Sequence, residues 1–295
     1  MKKDVLKAVK INFEDEEYPE NLRNIPYPPK QLYVLGDISL LKQKCISIIG
    51  SRVCTEKGAK IAEDFAKELS KRKICIVSGM AKGIDTAAHI GALKAGGKTI
   101  AVLGGGFKHI FPKENEKLFL EIIKNGGAVV SEYAENVDVT PQGFIQRNRI
   151  VSGLSMGVLV VEAKAKSGTS KTAEFAKKQG KKVFCIAHGI EEKEGIGTNR
   201  LIKNGAKLVT NVEDITTELK IESRKNVDKS KEKVIEIINI PEEYMPVYKN
   251  LSKEPISIDE ICKKTKLDIS KINYIVTMLE LEGYIKKLPG NLITK

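Results

Sequence analysis

The sequence predicts an α/β protein: an extended, Rossmann-like, doubly wound parallel sheet followed by a small winged-helix domain. Three observations predict it. Short β-branched runs alternate with helix-length amphipathic segments across residues 44–219, the order that builds βαβ units. The runs are uniformly apolar, as in strands buried on both faces. Several of them end in glycine-rich or small-residue loops.

The elements follow in order. CISIIG (45–50) is the first strand, and EKGAKIAEDFAKELSKR places apolar residues at 61, 62, 65, 66 and 69 of the first helix. KICIVSG and DTAAHIGALKAG repeat the pair. KTIAVLGGG is the third strand, and KENEKLFLEIIKNGG is a helix stopped by glycines. GAVVSE, the helix at 144–155, MGVLVVEA, SKTAEFAKKQG and KVFCIAHG continue the alternation, and GTNRLIKNGAKLVT closes it with a short helix and strand. Residues 1–43 are read as a proline-containing extended segment that precedes the sheet and wraps it. Residues 220–233 form a charged, glycine-free linker. Residues 234–295 read as helix, turn, helix and β-wing, with LDIS capping the second helix and apolar residues 272, 275, 276 and 279 on its face.

Composition bounds the function. The chain has 295 residues and a formal net charge of +12, a surplus that favours a polyanionic partner unless it is only a lysine bias. The surplus is uneven: from residue 221 onward there are 14 basic and 12 acidic residues, so +10 of the charge belongs to residues 1–220. The five cysteines, at 45, 54, 75, 185 and 262, form no Cys-x-x-Cys pair and read as reduced thiols of a cytoplasmic protein. No apolar run reaches the roughly 18 residues of a membrane helix, and the N-terminus lacks the apolar core of a signal peptide.

Ligands of doubly wound sheets bind outside the carboxyl ends of the strands. The loops expected there are rich in small residues and cations. They hold Gly50, Ser51 and Arg52; Ser78, Gly79, Lys82 and Gly83; Gly105, Gly106 and Lys108; and Lys166, Ser167, Gly168 and Thr169. Glycines let a backbone approach a ligand, and free N–H groups at helix starts hold anions. Arg147, Asn148 and Arg149 stand in a row on the helix at 144–155, so they cannot share one face.

Several motifs fail on context. GALKAGGKT is one residue off a phosphate loop and leads into a strand rather than a helix. GLSMG lies on a helix-to-strand turn, the reverse of a nucleophile elbow. No G-x-G-x-x-G follows the first strand, and the three histidines, 89, 109 and 188, lack metal spacing. Neither cofactor nor metal is expected. His89 reads as structural, and Glu132 and Glu162 have no activating neighbour visible in the sequence.

Taken in order, YPENLRNIPYPPKQLYVLGD, IIGSR, SGMAKGIDTAAH, GGGFKHIFPKENEKL, FIQRNRIVSGLS, VVEAKAKSGTSKTA and GTNRLIKNGA resemble the DNA-processing protein A family, also called Smf, over about residues 18 to 215. The resemblance implies an extended Rossmann domain that binds single-stranded DNA, dimerises, and delivers the strand to the RecA recombinase during natural transformation, without cofactor or chemistry. It carries the family's positive pocket to Gly50, Ser51, Arg52, the SGMAKGID loop, Arg147, Asn148, Arg149 and Lys166–Thr169. Two departures stand out. Lys108 and Phe111 lie in GGGFKHIFP, where the family usually has Gly-Gly-Gly-Leu/Val-Asp and then Tyr-Pro. Lys171 sits where a bulky apolar residue is common. The helical N-terminal domain of many members is not expected here.

For such a ligand each arginine has two readings. It could fork a phosphate and stack on a base, or brace the fold through Glu132 or Glu162. Arg147 is expected to touch DNA and Arg149 to be the brace. In the winged helix, Lys271 and Asn273 stand against Glu280 and Glu282, which favours protein contact over groove reading. Two other classes stand as alternatives. KSGTSKTAE, with Glu174, distantly echoes the loop of nucleotide N-glycosidases, and the winged helix could serve a transcription regulator.

Overall fold

The computed structural model describes residues 7–108, 110–165, 167–221, 241–252, 255–265, 267–281, 284–288 and 292–294. His109, Lys166, Glu282 and nearly all of the 220–233 linker lie outside the described residues. The chain divides into two compact units, Met1–Arg224 and Lys225–Lys295.

The first unit is built on a nine-stranded sheet. In chain order its strands are β1 (Val9–Asn12), β2 (Gln31–Gly36), β3 (Cys45–Ile49), β4 (Cys75–Ser78), β5 (Thr99–Leu103), β6 (Ala128–Ser131), β7 (Gly157–Val160), β8 (Lys182–Cys185) and β9 (Lys207–Leu208). Across the sheet they lie β1-β2-β6-β5-β4-β3-β7-β8-β9. The seven from β6 to β9 are parallel. Their helices are α2 (Glu56–Lys71), α3 (Ile84–Lys94), α4 (Glu116–Lys124), α5 (Pro141–Gly153), α6 (Gly168–Lys178), α7 (Ile196–Lys203) and α8 (Val212–Glu218), with a short α1 (Glu20–Arg23) ahead of them.

Strand β3 shows why the runs are apolar throughout. Cys45 and Ile49 enter the core with α5 and α6, while Ile46 and Ile48 enter the opposite core with α2 and α3. Ser47, in the same strand, is fully buried and satisfied: its Oγ donates to Val151 O at 2.8 Å or shares a hydrogen bond with Ser155 Oγ at 2.7 Å.

One expectation needs correction. Residues 1–43 do not merely precede the sheet. They supply β1 and β2, and β2 pairs antiparallel with β6. The physical reason is edge protection, since β6 would otherwise present unpaired backbone groups. Tyr18 and Leu22 anchor the intervening turn in the core, and the Tyr18 hydroxyl donates to Pro29 O at 2.7 Å.

The second unit holds α9 (Met245–Tyr248), β10 (Ile256–Ser257), α10 (Ile258–Thr265), α11 (Ile269–Leu281), β11 (Lys286–Leu288) and β12 (Leu292–Thr294). Its sheet order β10-β12-β11 is that of a winged helix. Ile272, Ile275, Val276 and Leu279 of α11 are buried, and Asp268 caps the helix by accepting from Lys271 N at 2.9 Å. No helix among the described residues is long and apolar enough to cross a membrane.

Candidate functional site

Strand order reverses between β3 and β7: the chain runs outward from β3 through β4, β5 and β6, then returns to β7 on the other side. Crevices form at such a switch point, outside the strand carboxyl ends. A cleft of about 400 Å³ lies there, walled by the loops after β3, β4 and β7 and by the starts of α5 and α6.

Its lining joins nine of the expected residues: Gly50, Ser51, Arg52, Gly79, Arg147, Asn148, Ser167, Gly168 and Thr169. Arg52 follows β3 and is exposed; its guanidinium carbon stands 5.1 Å over the Phe144 ring. Gly83 makes this placement possible. It has φ +77°, and a Cβ there would meet Ser51 O at 2.3 Å. The left-handed backbone lets α3 start beneath the Ser51–Arg52 peptide, and Ile84 N donates to Ser51 O at 3.2 Å.

The opposite wall is the start of α6. Ser167 at its N-cap makes no side-chain cap, and open space faces Gly168. Uncapped N–H groups and the helix dipole make this end suitable for an anion. Thr169 Oγ1 donates to Gly50 O at 3.0 Å and ties α6 to the loop after β3.

The floor is Arg147, only 5 % exposed. Its Nη1 donates to Gly79 O and Val102 O, joining the carboxyl ends of β4 and β5, and its Nε donates to Asn148 Oδ1 at 3.2 Å. The guanidinium lies against Gly79, where a Cβ would come within 2.6 Å of Cζ. Burial pushes its pKa down to about 10, Asp85 opposes that shift, and Arg52 adds to it. Asp85 is buried beside it and accepts from Gly79 N at 3.1 Å; burial raises its pKa while Arg147 pulls it back.

Arg147, expected to touch DNA, lines the cleft and is buried there. It forms a buried floor because two strand-end carbonyls hold its Nη1. Arg149 faces away from the cleft. It pairs with Glu132 at 2.7 Å and donates to Tyr27 O at 3.0 Å and Gln146 O at 3.1 Å. Glu162 is not its partner: that carboxylate accepts from Thr55 N and Oγ1 at the start of α2.

The remaining expected residues stand elsewhere. Ser78 is buried and donates to Ile48 O at 2.6 Å. Lys82 is exposed but paired with Glu114 at 2.6 Å. Gly105 and Gly106 pack under the backbone of residues 134–139, where a Cβ would clash, so they do not border the cleft. Lys108 is exposed, with its N–H donating to Glu135 O at 3.1 Å. Sequence reasoning missed Val53, Phe144, Ile145 and Lys164 in the lining, while Asp85 entered it only as the last residue of the SGMAKGID loop. The signal for Phe144 and Ile145 was present: two large apolar residues stand immediately before Gln146 and Arg147 in the first turns of a helix. Glu174, the echo of a glycosidase carboxylate, pairs with Lys171 on the surface and is not in the lining.

Among the lining residues, the cations Arg52, Arg147 and Lys164 outnumber the one carboxylate, the buried Asp85. Fold and site define a class: a doubly wound α/β domain with a cationic, aromatic-edged crevice at the switch point, in one chain with a winged helix. The chain belongs to the DNA recombination-mediator protein A family, whose model matches residues 10–220, and a DprA winged helix domain matches residues 241–291. It is 41% identical over 218 residues to the DNA processing protein DprA of Streptococcus pneumoniae, covering 74% of this chain and 77% of that one. It is 34% identical over 289 residues to Protein Smf of Escherichia coli, covering 96% and 76%. Among solved structures, DNA processing protein A of Helicobacter pylori, described for its single-stranded DNA binding mode, superposes with a TM-score of 0.66 at 32% identity, covering 74% of this chain and 98% of that one.

Proposed function

We propose that this chain binds single-stranded DNA in the switch-point cleft and delivers it to a RecA recombinase, as in natural transformation and homologous recombination. The observation that carries the reading is the Arg52–Phe144 stack beside the uncapped start of α6. A guanidinium and free N–H groups take phosphates, and an aromatic face takes an unstacked base. Duplex DNA hides its base faces, so the combination favours a single strand. The reading needs no covalent step: Glu132 and Glu162 are committed to structural hydrogen bonds. The protein acts in the cytoplasm as a homodimer. Among the described residues β9 ends the sheet, and its Leu208 is 44% exposed, which favours such pairing.

The test is a binding titration with single-stranded and double-stranded oligonucleotides over a range of salt. Tighter single-strand binding, with log affinity falling linearly as log salt rises, is the expected result. Equal affinity for duplex would sink the reading. Release of free base from nucleoside monophosphates would instead support a nucleotide-processing enzyme. Analytical ultracentrifugation, and strand exchange by RecA on a coated single strand, test the dimer and the delivery.

A further inference from the structure

Phe111, in the loop between β5 and α4, is 54% exposed, while Phe107 and Ile110 before it are buried at 3% and 7%. The loop beyond Phe111 is firmly held. Asn115 Nδ2 donates to Met80 O at 2.8 Å and to Thr86 Oγ1 at 2.9 Å, and Asn115 N donates to Pro112 O at 3.0 Å. Lys82 and Glu114 add an ion pair between the same two loops. More than half of this apolar ring is left in water on a pinned loop, so its exposed face is available to an occupant.

Its neighbours indicate which. The Phe111 ring centroid lies 5.4 Å from that of Phe144, tilted by 57°. Phe144 in turn carries the Arg52 guanidinium on its ring at 5.1 Å. Arg52, Phe144 and Phe111 form a continuous row, of which only the first two border the cleft. Exposed Lys82 and Lys113 stand near the far end against one exposed carboxylate, Glu114. A π-face beside one surplus cation, Lys113, matches a nucleotide, with its flat base and anionic backbone, better than an apolar protein surface.

We propose that Phe111 is a second base-stacking platform, beyond the cleft, so that the single strand runs from the start of α6 past Arg52 and Phe144 to the β5–α4 loop. This rests on the single-strand reading of the cleft and adds a direction and a longer footprint to it. The bland alternative is that Phe111 only buttresses Phe144.

Oligothymidylates of about 4 and about 10 nucleotides separate the two, the shorter filling the cleft and the longer reaching the loop. The full-length protein, Phe111→Ala, Phe111→Tyr and Arg52→Ala are titrated with both, alongside thermal melts. Phe111→Ala should leave the short oligonucleotide unaffected and weaken the long one roughly tenfold. Phe111→Tyr should restore it, and melting should not change because the ring is exposed. Arg52→Ala should weaken both lengths. Equal loss of both lengths in Phe111→Ala would show a buttress and overturn the proposal, as would no loss of either. If the unaltered protein binds neither length, the cleft reading itself falls, and this inference with it.

Discussion

Arg52 is the residue on which the cleft depends. It is exposed, and among the described residues its guanidinium rests on the Phe144 ring. Arg52→Ala should cut single-strand affinity without lowering the melting temperature, and should reduce the salt slope by about 0.7, the value per single-strand phosphate. Unchanged affinity in that folded variant would remove Arg52 from the site. Arg147 and Arg149 behave differently. Arg147→Ala leaves Gly79 O and Val102 O without their donor and Asp85 without its cation. Breaking a buried charge cluster in this way costs about 3–5 kcal/mol. Arg149→Ala loses a pair whose Glu132 side chain is 24% exposed, so its cost should be smaller, about 2 kcal/mol. Chemical denaturation of both variants measures the order, and the reverse order would contradict these assignments.

His89, on α3, gives a pH signature. Thr99 Oγ1 donates to Ile76 O at 2.8 Å, so it accepts from His89 Nδ1 at 2.7 Å and assigns the proton to that nitrogen. Nε2 is buried, with no hydrogen-bond partner among the described residues. Burial, helped by the Arg147 charge, pulls the pKa from 6.5 down to about 3. The unfolded chain therefore takes up a proton near its ordinary pKa while the folded chain stays neutral. The stabilisation is full above about pH 6.5 and drains as pH falls toward about 3, by at most about 1.4 kcal/mol per unit. His89→Asn keeps a donor to Thr99 and removes the titration. The stability difference between the two proteins should narrow from pH 7 to pH 5; a constant difference would contradict it.

At the scale of elements, the site is a meeting of loop and helix starts. Helix α3 can begin under the Ser51–Arg52 peptide only because Gly83 has φ +77° and no Cβ. Gly83→Ala must strain the backbone or push that peptide away, at about 1–3 kcal/mol. Affinity for a single strand and melting temperature should fall together, and a variant that keeps both would show that the loop after β3 does not need α3 beneath it. Helix α5, capped by Thr140 accepting from Gly143 N at 3.0 Å, serves both sides of one chain segment. Phe144 and Asn148 line the cleft, Arg147 forms its floor, and Arg149 braces against Glu132.

For the whole molecule, charge and chain division point the same way. The +10 surplus lies in residues 1–220, the part that holds the cleft, against +2 in the rest. A truncation after Arg224 follows the division into two units and keeps Ile221, which packs in the first unit's core. Its single-strand affinity should stay within about tenfold, or about 1.4 kcal/mol, of the full chain. A larger loss would mean that the winged helix binds DNA or organises the assembly. The exposed Ile269 and Tyr274 of α11, 53% and 57% accessible, are consistent with a protein-contact role for that unit.

Much was legible in the residues alone, and the reason is locality. The β-branched runs, the helical spacing of Ile61, Ala62, Phe65, Ala66 and Leu69, and the buried stripe of α11 follow from periods that each segment carries within itself. So does the gathering of glycine-rich loops, because every parallel strand delivers its carboxyl end to one edge. What only the tertiary structure decided is which groups meet across the chain. Gln31–Gly36 becomes β2 because the edge of β6, about a hundred residues later, needs a partner. Arg147 turns inward to Gly79 and Val102, and Arg149 to Tyr27 and Glu132. Arg52 finds Phe144 across the cleft. A guanidinium's choice among phosphate, carbonyl and carboxylate depends on which of them the fold brings within about 3 Å, and no local pattern encodes that distance.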